Sequence, residues 1–249
     1  MHTPETIRYQ ATNGVARITL ARPDKRNAMN AQMFAELGDV AELAGRDPEV
    51  RAVIVTGEGQ SFCAGIDLAV LRELAGIQEP ELRSFIRMAQ RPYLAIARMD
   101  KPTVAAVQGH ALGAGFQLAL ACDLRVAAPD ASFAMLEARY GLIPDLGGAY
   151  HLTRIVGPAR AKELVWTARR VEAEEVSAIG LVNRVARNGD LDGEANRLLE
   201  ELLAHPSVPQ ALSKALMDGA SQTSLEIELE QEAHAQAACI RAGTTPKAV

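Results

Sequence analysis

Cysteine is scarce in this sequence, and the positions of the few that occur exclude two common kinds of site. There are three in 249 residues, Cys63, Cys122 and Cys239. An odd number at wide spacing predicts neither a disulfide framework nor a zinc site, and the histidines show no metal-ligand spacing. We therefore expect a protein of a reducing, cytoplasmic compartment that needs no metal ion and no redox cofactor.

A strong excess of one charge and a long apolar run are also missing. Lys and Arg total 26 and Asp and Glu total 31, so the net charge is −5. That balance disfavours nucleic acid or an anionic membrane surface as partner. No apolar run approaches the ~20 residues of a membrane-spanning helix, and the first residues show no signal-peptide pattern. The composition, 48% apolar and 23% charged, predicts a soluble globular protein.

Turn and capping signals indicate the main elements. Asn13-Gly14 lies between two alternating apolar runs and predicts a β-hairpin. Asn30 predicts the N-cap of a helix that extends to about Ala44. Short apolar runs then alternate with helical segments, which predicts a mainly parallel sheet. Three further helices are predicted near the end of the chain, over about 191–204, 208–217 and 224–240.

The most informative stretch runs from Lys101 to Asp123. An apolar run over 103–107 predicts a buried strand, three glycines follow it, and residues 116–121 favour a helix. Strand, glycine-rich turn and helix N-terminus together direct backbone N–H groups at a negatively charged oxygen. The glycine spacing matches neither a dinucleotide fingerprint nor a P-loop. A tight packed turn without a ligand is the alternative at this point.

A second loop of the same kind precedes the first. Residues 57–68 follow the apolar run 52–55, are rich in small residues and lead into a predicted helix. Two such loops can each direct an amide at one point, and two converging amides form an oxyanion hole.

Four motifs closely resemble the enoyl-CoA hydratase/isomerase (crotonase) superfamily. They occur in the family's order and separation: Ser61-Phe-Cys-Ala-Gly-Ile-Asp-Leu68, Gly109-His-Ala-Leu-Gly-Ala-Gly115, Ala121-Cys-Asp123 and Gly141-Leu-Ile-Pro-Asp-Leu-Gly-Gly148. The similarity runs from about Ile7 to about Val185. It implies an α/β fold with a crotonase-like ββα spiral core over residues 1–188. It also implies a C-terminal helical region over residues 189–249 that packs subunits into trimers or hexamers.

The resemblance implies an acyl-CoA thioester as substrate, with no separate cofactor. By motif position, the N–H groups of Ala64 and Ala114 would stabilise an enolate on the thioester oxygen. The CoA portion would lie over Ala64, Gly65, Ile66, Asp67 and Leu68, held mostly by backbone. Arg26 would lie near the CoA phosphates, and a solvated loop is the alternative for it.

The proton chemistry separates two reactions. Family hydratases use two glutamates, and their positions here hold Gln117 and Glu137. Gln cannot exchange a proton, although it can orient a water. One base suffices to move a double bond, so the pair predicts isomerisation of an enoyl- or dienoyl-CoA with Glu137 as the base. Asp145 is a candidate second proton donor or acceptor, and a turn residue is its alternative.

Two other readings of the same residues stay open. One is an enoyl-CoA hydratase that uses Glu137 with Gln117 as a water-orienting partner. The other is an acyl-CoA-binding protein without turnover, which the retention of both Glu137 and Asp145 disfavours. Two further residues, His110 and Cys63, are interpreted as packing residues. The resemblance implies this for His110, because members of the family hold aromatic or polar residues there that take no part in proton transfer. Cys63 has no apparent histidine partner that would make it a nucleophile.

Overall fold

The computed structural model describes residues 4–220 and 223–243. The chain begins with an antiparallel hairpin of β1 (Ile7–Thr12) and β2 (Val15–Leu20). Its turn residues, Asn13 and Gly14, have φ of 52° and 80°. Positive φ at both central residues is what a two-residue type I′ hairpin turn requires. The hairpin predicted from Asn13-Gly14 is confirmed.

Within the described ranges, seven more strands complete two sheets. They are β3 (Ala52–Gly57), β4 (Thr103–Val107), β5 (His110–Leu112), β6 (Leu124–Ala127), β7 (Ser132–Ala134), β8 (Val171–Glu172) and β9 (Arg184–Val185). The larger sheet has the order β1-β2-β3-β4-β6-β9 and is parallel from β2 onward. The smaller sheet has the order β5-β7-β8, with β5 and β7 parallel. The predicted mainly parallel arrangement is confirmed.

The helices lie between and after these strands. They are α1 (Ala31–Arg46), α2 (Leu68–Leu74), α3 (Glu79–Ala97), α4 (Ala114–Ala121), α5 (Gly148–Val156), α6 (Pro158–Thr167), α7 (Ala173–Ala178), α8 (Leu191–Leu203), α9 (Ser207–Gly219) and α10 (Leu225–Arg241). Short 3-10 helices occupy Pro23–Lys25, Leu136–Tyr140 and Arg187–Gly189. None of the helices within the described ranges combines the length and apolarity needed to cross a bilayer.

Helix α4 lies at the centre of the molecule. All eight of its residues are buried, which fits a segment whose apolar residues continue around the whole helix. Its Phe116 packs edge-on against Phe133 of β7, with ring centroids 5.5 Å apart. The N-terminus of α4 therefore opens into the protein interior rather than into bulk solvent.

The C-terminal helices attach to this core in two ways. Helix α8 buries Ala195, Leu198 and Leu199 against one face of the larger sheet. Helix α9 is held by Lys214, whose Nζ lies 2.9 Å from the carboxylate of Asp123. By contrast α10 has no buried residue. The predicted division of the chain into a core over residues 1–188 and a C-terminal helical region stays a prediction. Helix α8 packs its apolar side chains against strands of the core, so the two regions share one apolar cluster.

Candidate active site

The turn before α4 has the geometry that the glycine-rich motif predicted. Gly113 has φ 48° and ψ −117°, a conformation that only glycine adopts readily. Its N–H donates to Ala134 O at 2.9 Å. Ala114 is the first helical residue, so its N–H has no acceptor within the helix. A free amide on a buried helix N-terminus is suited to stabilising an oxyanion.

In the first loop the structure contradicts the choice of Ala64 as the second amide. The Ala64 N–H donates to Arg26 O at 2.9 Å and is therefore already used. Met29 N donates to Gly65 O at 2.8 Å and Asp67 N to Met29 O at 2.9 Å. In an extended chain successive N–H groups alternate in direction. The N–H of Ile66 therefore points away from Met29, and it has no hydrogen-bond acceptor among the described residues.

The two loops are packed against each other through glycines. A Cβ at Gly65 would lie 2.9 Å from Leu112 O and 3.9 Å from Ala114 N. A Cβ at Gly115 would collide with the carbonyl oxygen of Cys63. The free N–H groups of Ile66 and Ala114 are thus brought to neighbouring positions. This is the arrangement of two amides that an oxyanion hole needs, with Ile66 in the place predicted for Ala64.

Beside these amides lies the pair Glu137 and Gln117. Glu137, in the 3-10 helix Leu136–Tyr140, is only 8% exposed. Gln117 Nε2 donates to Glu137 Oε1 at 2.7 Å. The other carboxylate oxygen, Oε2, is buried without a hydrogen-bond partner in the part of the chain that the structure describes. A buried, unpaired carboxylate oxygen is costly, and it is the group expected of a base awaiting a substrate proton.

Backbone hydrogen bonds fix the orientation of Gln117. Its Oε1 accepts from Leu146 N at 2.8 Å and from Gly148 N at 3.0 Å. Both are obligate donors, so the acceptor must be the amide oxygen and the NH₂ group must face Glu137. Gln117 therefore acts here as a fixed donor to Glu137.

Asp145 belongs to the same electrostatic site. Burial raises the pKa of Glu137, and the nearby Asp145 carboxylate raises it further, against the hydrogen bond from Gln117. The pKa of Asp145 is also raised by burial. Gln90 of α3 donates to Asp145 O at 2.7 Å and holds this loop. Two carboxyl groups with raised pKa values in one interior site favour proton-transfer chemistry.

The residues predicted to lie under CoA differ in their exposure and in their hydrogen bonding. Asp67 is a structural residue, because its carboxylate accepts from Ala69 N at 3.1 Å and pairs with Arg22 at 3.1 Å. These contacts lower its pKa. Leu68 is 47% exposed, and the Arg26 side chain is exposed at the edge of the loop. These two groups are the most open to contact from a CoA molecule, while Ala64 and Ile66 are half-buried.

Cys63 is fully buried, as a packing residue is, whereas His110 is half-buried beside Arg170 and its interpretation as a packing residue stays a prediction. The Nδ1 of His110 lies 3.4 Å from Arg170 Nη1, and burial followed by the charge of Arg170 lowers its pKa. Burial raises the pKa of the Cys63 thiol to about 12. A thiol with that pKa is protonated at neutral pH and is not a nucleophile.

Comparison with known proteins gives the family. The enoyl-CoA hydratase/isomerase model matches residues 10–245. The crotonyl-CoA hydratase of Syntrophomonas wolfei is 36% identical over 94% of this chain and 90% of its own length. The short-chain-enoyl-CoA hydratase of Clostridium acetobutylicum is 35% identical over 90% of this chain and 85% of its own length. A putative enoyl-CoA hydratase from Thermobifida fusca YX, solved with acetoacetyl-CoA, has a TM-score of 0.89 at 35% identity and covers 97% of this chain and 100% of its own.

The relatives support the predicted fold but not the predicted reaction. Their fold matches the predicted spiral core with C-terminal helices. Their names are those of hydratases, so the preference for isomerisation that followed from Gln117 gains no support from them. The extent of the match and the level of identity establish that this chain belongs to the enoyl-CoA hydratase/isomerase family.

Proposed function

We propose that the protein moves a double bond within an enoyl- or dienoyl-CoA, with Glu137 as the base. The observation that carries this proposal is that only one member of the Glu137–Gln117 pair, Glu137, can exchange a proton. Glu137 offers a buried carboxylate oxygen without a partner, and its neighbour is an amide fixed by two backbone donors. One such base is what isomerisation needs.

The reaction follows from these groups. The deprotonated carboxylate of Glu137 removes a proton from C2 of a 3-enoyl thioester, and the electron pair of that bond moves onto the thioester oxygen. The N–H groups of Ile66 and Ala114 stabilise the resulting dienolate. The electrons then return, and C4 takes the proton back from Glu137. A proton leaves C2 and a proton arrives at C4, so the product is the conjugated 2-enoyl thioester.

Substrate binding uses the exposed rim of the same loops. We propose that the CoA portion lies over residues 64–68, where the backbone provides most contacts. Arg26 belongs to the adjoining segment, since its carbonyl oxygen accepts from Ala64 N, and its exposed side chain is available to a phosphate. No cofactor beyond the CoA thioester itself is required by this chemistry.

Assembly into a homotrimer or a pair of trimers is part of the same proposal. Helix α10 carries an apolar stripe, and Leu225, Leu229 and Ile240 are 69%, 55% and 61% exposed. Apolar side chains at this density usually face another surface. Light scattering of the purified protein tests this, and a monomer would contradict it.

Hydration of a 2-enoyl-CoA is the second candidate. The printed names of the relatives favour it. Two observations support it: Glu137 Oε2 has no hydrogen-bond partner among the described residues, and the Asp145 carboxyl is close enough to raise the pKa of Glu137. Asp145 would then supply the second carboxylate that Gln117 lacks.

One assay separates the two candidates. Purified protein receives a 3-enoyl-CoA, and the absorbance of the conjugated 2-enoyl thioester is followed. A product that accumulates supports isomerisation. A transient rise followed by loss, with 3-hydroxyacyl-CoA formed, supports hydration. Absence of any change with straight-chain 3-enoyl substrates would contradict isomerisation of that substrate class. The same protein is then given the 2-enoyl-CoA, and absence of 3-hydroxyacyl-CoA would contradict hydration.

The pH dependence of kcat/KM should reflect the protonation of the Glu137 carboxylate. Because its pKa is raised, the acid limb of kcat/KM should lie above about 4.3, the ordinary glutamate value. The base acts deprotonated, so kcat/KM increases as pH rises through the raised pKa and is lost below it. A profile of kcat/KM measured over about pH 4 to 9 tests this. Asp145→Asn, which removes the neighbouring charge, should move the limb to lower pH, and an unmoved limb would contradict the coupling.

Gln117→Glu should shift the reaction toward hydration. A glutamate keeps an oxygen for Leu146 N and Gly148 N and places a second carboxyl beside Glu137. We expect the ratio of hydration to isomerisation to rise by about tenfold or more. The ratio is measured by product analysis from one 2-enoyl and one 3-enoyl substrate. Gln10→Glu, at an exposed position of β1, is the matched control, and an equal ratio in both variants would contradict the role given to Gln117.

A further inference from the structure

Tyr93 contacts both segments that present the candidate oxyanion amides. It lies on α3 and is 3% exposed. Its hydroxyl donates to Ala114 O at 3.0 Å and lies 3.2 Å from Met29 Sδ. Ala114 carries one of the free N–H groups. The backbone of Met29 pairs with Gly65 and Asp67, which flank the other at Ile66.

The hydroxyl is a fixed donor. Burial raises the pKa of Tyr93 well above 10, and the nearby Cys63, Asp145 and Glu137 raise it further. The side chain therefore stays a neutral phenol that donates its one proton. The carbonyl of Ala114 is the stronger of its two neighbours as an acceptor, since a thioether sulfur accepts only weakly.

The Tyr93 hydrogen bond adds a constraint from α3 to the backbone where α4 begins. Gly113 is tied to β7 through its N–H and Ala134 O, and its carbonyl oxygen accepts from Gln117 N at 2.9 Å, but glycine has more backbone conformations available than other residues. Ala114 follows directly and begins α4. The contact from Tyr93 to the Ala114 carbonyl fixes the orientation of this residue from the side of α3. A rotation there would turn the Ala114 N–H away from the Ile66 N–H.

We propose that Tyr93 is a positioning residue that holds the two amide-bearing segments at a fixed separation, so that both N–H groups meet one thioester oxygen. Tyr93 itself touches no reacting atom. Its effect is exerted on the enolate, through Ala114 on one side and through Met29 on the other. The inference rests on the proposed function, because it requires Ile66 and Ala114 to be the enolate-stabilising donors.

Tyr93→Phe tests the inference with little change in packing. The ring keeps its contact with Phe34, whose centroid lies 6.5 Å away, and only the hydroxyl is lost. We expect kcat to fall about tenfold, the size of one neutral hydrogen bond, with KM within about twofold of the parent. Tyr9→Phe is the matched control, because the Tyr9 hydroxyl is buried and has no hydrogen-bond partner among the residues described. We expect no change of kcat in that variant.

A spectroscopic measurement distinguishes positioning from a general loss of structure. Acetoacetyl-CoA is added to each variant, and the near-ultraviolet absorbance of its enolate is recorded. In Tyr93→Phe the bound enolate fraction should fall by about the same factor as kcat, while binding of a saturated acyl-CoA stays unchanged. Equal enolate absorbance in parent and variant would overturn the inference. So would an equal loss of saturated acyl-CoA binding, since that indicates a disturbed fold.

Measurements on the parent protein distinguish failure of the Tyr93 inference from failure of the proposed function. If the parent turns over a 3-enoyl-CoA and binds the enolate while Tyr93→Phe matches it, only the role of Tyr93 is wrong. If the parent shows neither turnover nor enolate absorbance, the oxyanion site itself is wrong, and the inference is overturned with it.

Discussion

Glu137→Gln is expected to lower kcat about 10³-fold while leaving the KM for the acyl-CoA within a few-fold of the parent value. The substitution keeps the shape of the side chain and an oxygen that can accept from Gln117 Nε2. It removes the carboxylate oxygen that, alone among the carboxylates the structure describes, is buried without a partner. Because the proton of C2 then has no acceptor, the loss falls on the chemical step. Steady-state kinetics with a 3-enoyl-CoA measures it.

The control is a Glu to Gln change at an exposed position outside the candidate site. Glu174 is an exposed residue of α7, and Glu174→Gln should retain the parent kcat. If Glu137→Gln also retains it, Glu137 is not the base, and the remaining carboxyl of the site, Asp145, becomes the candidate. Residual activity of Glu137→Gln that no longer shows an acid limb would support the assignment of that limb to Glu137.

Ala114→Pro should reduce kcat/KM by about 10²- to 10³-fold, the typical effect of deleting one oxyanion-hole donor. Proline has no N–H, and it is tolerated at the first position of a helix, where that N–H has no intrahelical acceptor. The helix is therefore expected to persist while the donor disappears and the pyrrolidine ring takes its place. Kinetics on a 3-enoyl-CoA, with circular dichroism as a check on folding, measures the effect.

Ala114→Gly provides the comparison for this position. Glycine keeps the N–H, so its kcat/KM should stay within a few-fold of the parent. An active Ala114→Pro enzyme would mean that the thioester oxygen is bound elsewhere. The N–H groups of Gly115 and Phe116 also lack an acceptor within the helix, whose first bond is from Gln117 N to Gly113 O, and these would then be the donors to remove next.

The sequence predicts the local elements well because their signals are local. Asn13-Gly14 indicates the hairpin, and Asn30 caps α1, accepting from Met33 N at 2.9 Å. The boundaries of the last three helices are right to within two residues. Capping side chains and turn residues act within a few positions of themselves, so no tertiary information is needed to place them.

The small sheet was not predicted, for the opposite reason. Its strands β5, β7 and β8 have three, three and two residues, too few for a periodic pattern. They form because β5 lies beside the loop that contains Cys63, whose N–H donates to His110 O at 2.8 Å. That contact joins residues far apart in sequence and depends on the packing of the whole core.

The prediction of Ala64 as an oxyanion-hole donor was wrong for the same reason, because a tertiary contact decides it. The motif locates the loop, but every residue of a loop has an N–H, and the motif does not say which one is already bonded. Ala64 N is bonded to Arg26 O, in a segment almost forty residues earlier in the chain. Only the tertiary pairing of these two segments leaves Ile66 as the free donor. Tyr93 was missed likewise, since its partner Ala114 lies on another helix.

The two backbone donors that hold Gln117 have an evolutionary consequence. Leu146 N and Gly148 N require an oxygen at the end of side chain 117, and glutamine and glutamate satisfy them equally. The codons of these two amino acids differ in a single base. A gene with this framework therefore lies one point mutation away from a site with a different number of titratable groups, and that mutation requires no repacking of the core. Selection for a new reaction could act on this position without first rearranging the packing around it.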